Sequence, residues 1–162
     1  MKIDHDARIG ILGTVGEKIC AAFLSRKGHV VNLSLDPFDR RKDLMIDNKF
    51  TAEVKTEQPY IMKNCLSFRL AQLRKCQEVD VLFFVTIPPK LNENYKHGGK
   101  IFMILQPKKF TYFEYETKQR IKMYGIPFEQ DAVQQIYTLT ADERRELIRY
   151  SESAYSESTY FA

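Results

Sequence analysis

The feature that most constrains the fold is a short apolar run, residues 79–87 (VDVLFFVTI), in which only Asp80 and Thr86 are polar. A strand with one wet face alternates apolar and polar side chains, so a strand without alternation is one buried on both faces. Such burial needs a sheet with layers of structure packed above and below it. The run is too short to cross a bilayer, and Pro88-Pro89 closes it. At 162 residues the chain suits one domain with a single substantial core.

Around that strand the remaining elements fall into order. Gly13-Thr14-Val15-Gly16 leads into a predicted helix ending near Lys27, with Val15, Ile19 and Phe23 on one face and Gly28 just past the end. Thr14 and Glu17 have the spacing of a capping box, which by itself explains a Glu at that position. A strand is predicted over 29–35, then a turn at Asp36-Pro37-Phe38-Asp39. Strands over 42–46 and 50–57 form a hairpin through Asp47-Asn48-Lys49. A helix is predicted over 64–77, with Leu66, Leu70 and Leu73 as its buried stripe.

After the apolar strand come a polar loop over 91–100 and a second buried strand over 101–105. The aromatic-rich stretch 110–124 fits no single pattern and is compatible with a helix, and 134–139 reads as a short strand. Thr140 and Glu143 repeat the capping-box spacing and start a last helix. The domain is expected over 1–150, with 151–162, rich in Ser, Glu and Tyr, as a fraying tail. The pattern implies an α/β protein with a mixed sheet flanked by helices.

The bulk chemistry excludes more than it proposes. Hydrophobic residues make up 44% and charged residues 28% of the chain, the balance of an ordinary globular protein. Nothing resembles a signal peptide, so the cytosol is the expected location and no membrane partner is expected. Cys20, Cys65 and Cys76 cannot all pair within one chain, and none lies in a CxxC or at zinc-like spacing from His5, His29 or His97. All three are expected to be reduced. The net charge of +4 is mild, but its cations cluster: Arg40, Arg41 and Lys42; Arg69, Arg74 and Lys75; Lys118, Arg120 and Lys122. For any one cluster a solvated face is the favoured explanation.

Cleaving a phosphodiester needs a nucleophilic water and neutralisation of the charge that develops on the phosphate. Carboxylates holding a hard cation supply much of this, and a nearby Lys orients the water or stabilises the phosphorane oxygens. Glu53-Val54-Lys55 places an acid and an ammonium on one face of a strand, because side chains alternate with period two. Two other acid-x-Lys triplets occur, Asp47-Asn48-Lys49 in the turn and Glu116-Thr117-Lys118 in a charged segment. Only Glu53 and Lys55 lie on a partly apolar strand whose hairpin partner also carries an acid. If Asp47, Asn48 and Lys49 form a three-residue loop, Asp43 opposes Glu53 and the two carboxylates can share a cation. A two-residue loop would set Asp43 against Val54 and break the site.

Over residues 13–87 the chain resembles the PD-(D/E)xK nuclease superfamily, which spans restriction enzymes, junction resolvases and RecB-like nucleases. The elements run in that family's order. Asp43 in "KDLMID" matches its second-strand Asp, and Glu53 and Lys55 in "AEVKT" match its ExK strand. Glu17 in "GTVGEKICAAFLSRKGHVV" matches the first-helix Glu of resolvases, and Gln72 resembles the Gln on the following helix of RecB-like members. Lys42 stands where the family has Pro, and Cys76 stands where a RecB-like Tyr would be.

The resemblance implies a restriction-endonuclease-like fold, with an αβββαβ core and C-terminal additions, and a nuclease that hydrolyses DNA, internally rather than from an end. It implies catalytic roles for Glu17, Asp43, Glu53 and Lys55. Mg2+ would be held by Asp43 and Glu53, with Mn2+ able to substitute, and Arg69, Gln72, Arg74 and Lys75 would contact DNA. A homodimer would let so small a domain cut both strands. Two other readings use the same residues differently: a catalytically silent nucleic-acid-binding module, and an interaction protein acting through its aromatic segment over 110–124.

Overall fold

A computed structural model describes the backbone of residues 5–33 and 43–160, and the side chains of 10–33 and 43–151. The turn expected at Asp36-Pro37-Phe38-Asp39, and Arg40, Arg41 and Lys42, lie outside the described residues.

The chain opens with helix α1 (His5–Arg26). Leu12, Val15, Ile19, Phe23 and the neighbouring Cys20 and Leu24 are buried at the three- and four-residue spacing of one helix face. Strands β1 (Val31–Leu33), β2 (Leu44–Ile46) and β3 (Phe50–Glu57) follow as an antiparallel meander. Strand β4 (Cys65–Arg69) and the short helix α2 (Leu73–Glu78) lead to β5 (Val81–Thr86), which returns parallel to β3. Then come β6 (Lys100–Leu105), β7 (Phe113–Glu116), β8 (Lys122–Pro127), β9 (Val133–Thr138) and helix α3 (Ala141–Tyr160).

Two sheets result, a mixed six-stranded sheet in the order β1-β2-β3-β5-β6-β9 and an antiparallel three-stranded sheet in the order β4-β8-β7. Strand β5 is buried along its whole length, as its composition requires. Val81, Phe83 and Val85 join Val54, Leu24 and Leu147 in a core under α1 and α3. Leu82 and Phe84 join Leu66, Phe68, Cys76 and Ile126 in a second core, between the large sheet and the small one. The fold is therefore α/β, with helices on one face of the central sheet and the small sheet with α2 on the other. Among the described residues no helix is long and apolar enough to cross a membrane, and Cys20, Cys65 and Cys76 are buried and unpaired.

Several elements differ from the sequence reading. Helix α1 runs through Gly10, Gly13 and Gly16, so Thr14 is not its cap; the Thr14 hydroxyl donates to the Gly10 carbonyl one turn back, at 3.0 Å. Tertiary packing overrides the glycines' low propensity, because α1 comes close to β3. A Cβ on Gly16 would overlap Thr56 Oγ1. We expect Gly16→Ala to destabilise the fold by about 1–3 kcal/mol, the usual range for overpacking; a Tm equal to the parent's would show that α1 can move aside.

The helix expected over 64–77 is instead β4, a 3-10 turn at Leu70–Gln72 and the single-turn-scale α2. Leu66 and Phe68 point into the second core as alternate strand residues. The stretch 110–124 is no helix but contributes β7 and the start of β8. At the end, the expected capping box is present: the Glu143 N–H donates to Thr140 Oγ1 (3.1 Å) and the Thr140 N–H to Glu143 Oε1 (2.9 Å). Helix α3 runs on to Tyr160.

Candidate active site

The β2–β3 hairpin fixes the site's register. Asp47 and Asn48 both take positive φ (54° and 53°), which these two residue types tolerate, and the Lys49 N–H closes on the Ile46 carbonyl at 3.0 Å. Phe50 opposes Ile46, Thr51 opposes Met45 and Ala52 opposes Leu44. This is the register of a three-residue loop. The ladder ends there: Asp43 lies just before β2, its N–H on the Ala52 carbonyl (2.8 Å) and its Oδ2 accepting from the Val54 N–H (2.9 Å). Among the described residues no strand pairs with the β3 edge beyond Ala52 on the β2 side, and there the Asp43 carboxylate meets the Val54 N–H.

Glu53 and Lys55 share the β3 face that pairs with Leu82 and Phe84, and so look toward α2 rather than α1. Glu53 is only 2% exposed. Its Oε1 lies 3.3 Å from Lys55 Nζ, and Lys55 Nζ in turn donates to Gln72 Oε1 at 2.7 Å. Lys75, on the same helical segment, reaches between the acids, with its Nζ 3.2 Å from Glu53 Oε2 and 3.5 Å from Asp43 Oδ1.

Electrostatics follow from this crowding. Burial pushes the Glu53 carboxyl up to about 7, against the pull of Lys55 and with Asp43 adding to the rise. Burial also raises Glu17 to about 7; Asp43 adds to that rise, and Lys75 and Lys55 oppose it. Glu17 on α1 therefore shares the electrostatic field of the site, and its capping-box explanation is gone. Burial by itself would lower Lys75, yet Glu53 and Asp43 together hold its ammonium above the ordinary range.

Of the expected site residues, the structure gathers Asp43, Glu53, Lys55, Gln72 and Lys75, with Glu17 coupled to them. It does not bring in Arg69, exposed at the end of β4, or Arg74, whose guanidinium pairs with Glu78 at 2.7 Å along α2. Asp47 is committed to the hairpin, accepting from the Val30 N–H (2.9 Å) and facing His29 Nδ1 (2.8 Å). Those two hydrogen bonds, His29 first, hold its carboxyl below the usual range.

Two features were not foreseen. Lys75 was expected on a DNA-contacting helix face but is part of the carboxylate cluster. Glu57 continues the Glu53-Lys55 stripe two residues on, a position that period-two alternation would have revealed. Its Oε1 accepts from the Ser67 N–H at 2.5 Å, and burial pushes its carboxyl up to about 8, outweighing Ser67 and Lys55. Its protonated form is thus favoured by folding. The stability this gives is complete below the unfolded value near 4.5 and is lost as pH rises toward 8. Glu57→Gln, which keeps an acceptor for Ser67, should lose no stability between about pH 4 and pH 9, whereas the parent's Tm should fall progressively as pH rises above 4.5. Parallel Tm curves across that range would refute a buried proton on Glu57.

Among the described residues no three His, Cys, Asp or Glu side chains cluster as a metal centre. Two carboxylates are, however, what Mg2+ commonly takes from a protein, with water and substrate phosphate completing its shell. Asp43 and Glu53 already face one cation, since Lys75 Nζ lies 3.2 Å from Glu53 Oε2 and 3.5 Å from Asp43 Oδ1, so a metal ion would have to share or replace that ammonium. No protein-family model and no curated protein matches this chain.

Proposed function

We propose that the chain is a divalent-metal-dependent deoxyribonuclease with a restriction-endonuclease-like core of the PD-(D/E)xK kind. The observation that supports this reading is the convergence of Asp43, Glu53 and Lys55 along β3, with Lys55 Nζ 3.3 Å from the buried Glu53 carboxylate and Asp43 accepting from the Val54 N–H between them. Asp43 and Glu53 would hold the ion. When bound, Mg2+ or Mn2+ would polarise the phosphate and lower the pKa of a coordinated water.

The protein's own groups supply the rest. Lys55, held by Gln72 and Glu53, presents a fixed ammonium that orients the attacking water and offsets charge on the phosphorane oxygens. Gln72 positions Lys55, a role tied to its 2.7 Å hydrogen bond rather than to DNA contact. Glu17, raised toward neutrality, can exchange a proton near physiological pH beside Asp43. Cleavage inside a strand is the expected mode, and a symmetric pair of chains would cut both strands.

Lys75 supports a second reading. If its ammonium fills the cation position permanently, the domain binds nucleic acid without cutting it. Titration with Mn2+, followed by the loss of its free EPR signal, separates the two. The nuclease reading expects about one ion held per chain, weakened by Glu53→Gln and strengthened by Lys75→Met. No bound Mn2+ in the parent, with an ion appearing only in Lys75→Met, would favour the silent module.

A further inference from the structure

The small sheet has two unlike faces. Leu66, Phe68, Ile126 and Tyr124 turn inward to the second core. The opposite face carries Ser67, Gly125 and Phe113 in one row and Arg69, Met123 and Tyr115 in the next, by strand register. Phe113 lies over Gly125, where any Cβ would meet the ring. Tyr60, bridged to Cys65 beside β4, packs its ring edge-on against Tyr115, with centroids 4.8 Å apart. Tyr60, Phe113, Tyr115 and Met123 are all partly buried.

This face is tied to β3 through the buried Ser67. The Tyr115 hydroxyl donates to Ser67 Oγ (2.6 Å), and the Ser67 N–H donates to Glu57, two residues beyond Lys55 on β3. Cations flank this face, with Glu57 beneath Ser67 and Glu129 bonded to Asn64 at its far end. Lys63 Nζ lies 5.8 Å from the Phe113 ring centroid, Arg69 is exposed at the end of β4, and Lys118 and Arg120 occupy the turn between β7 and β8. The acids of β7, Glu114 and Glu116, alternate to the other face.

We propose that this face stacks the unpaired bases of a single-stranded DNA segment leading into the site, with Tyr60, Phe113 and Tyr115 as the platform and Lys63 and Arg69 on the phosphates. The proposal rests on the nuclease reading for its DNA partner and adds the substrate class. Partly exposed aromatic rings with Lys63 beside them suit nucleobases joined by phosphates, because every base offers a π-face and stacking tolerates any sequence. An acidic peptide would use the cations without needing the rings.

The test is binding in EDTA, followed by fluorescence anisotropy, of labelled oligothymidine, an abasic oligomer of the same length, and a duplex. The parent should bind oligothymidine about tenfold tighter than the abasic strand, the advantage expected of stacked bases. Phe113→Leu should remove most of that advantage while leaving abasic affinity and the salt dependence unchanged. Tyr115→Phe, which keeps the ring, should bind as the parent does. Lys63→Ala should weaken both strands and reduce the salt slope by about one. Photocrosslinking of 5-iodouracil oligomers to Tyr60, Phe113 or Tyr115 in the parent gives a readout independent of any variant's folding. Equal affinity for oligothymidine and the abasic strand, or crosslinks confined to other parts of the chain, would overturn the proposal. Because no metal is present, base stacking without any later cleavage would leave this surface standing and remove the nuclease reading; cleavage of duplex without base preference would do the reverse.

Discussion

Lys55→Ala should lower metal-dependent cleavage of DNA by about 10²–10⁴-fold, the range for removing a positioned proton-handling or charge-stabilising group. The loss should lie in turnover. Lys55 Nζ contacts Glu53 and Gln72, so its removal leaves the Asp43 and Glu53 carboxylates in place, and Mn2+ binding should persist. Gln72→Ala should show a smaller deficit of the same kind, because Lys55 keeps its charge but loses the acceptor 2.7 Å from it. Cleavage at the parent rate by folded Lys55→Ala, measured on supercoiled plasmid, would remove Lys55 from the mechanism.

The second large effect separates two aspartates four residues apart. Asp43→Ala should abolish both cleavage and Mn2+ binding, whereas Asp47→Ala should retain most of both and lose only thermal stability. The structure explains the contrast. Asp43 meets the Val54 N–H of β3 and shares Lys75 with Glu53, while Asp47 is engaged by His29 and the Val30 N–H in the hairpin. Since Asp43 also accepts from the Val54 N–H, Asp43→Asn is the matched control: it keeps an acceptor there, removes the charge and should still fail to cut. Full activity in folded Asp43→Asn and loss in Asp47→Ala would move the ion to the hairpin turn.

The parts of this arrangement that were legible in the sequence are those set by local chemistry. Consecutive Asp and Asn could take the positive φ of a tight loop, and counting outward from a three-residue loop gives the observed Ile46–Phe50 register. The continuous apolar run identified β5 because burial on both faces leaves that signature. The reciprocal bonds of Thr140 and Glu143 were visible because a capping box is complete within four residues.

What was misread depends on partners distant in sequence. Leu66, Leu70 and Leu73 have helical spacing by coincidence; Leu66 belongs to a strand whose partner, β8, comes much later in the chain. Strand β4 also lacks the β-branched residues that would have marked it. With the helix begun too early, Lys75 was assigned to an outer face, when the shorter α2 places it between Asp43 and Glu53. Glycines argued for a late start to α1, yet Gly16 is there because β3 approaches so closely. That close approach belongs to the folded state and cannot be read from helix propensity.

The most direct test is a time course of purified protein with supercoiled plasmid in Mg2+, in Mn2+ and in EDTA. Conversion to nicked and then linear DNA with either ion, absent in EDTA and absent for Glu53→Gln and Lys55→Ala, is the result expected of a cation held by Asp43 and Glu53 beside Lys55. Plasmid that stays supercoiled with both ions, or is cut equally well in EDTA, would contradict it.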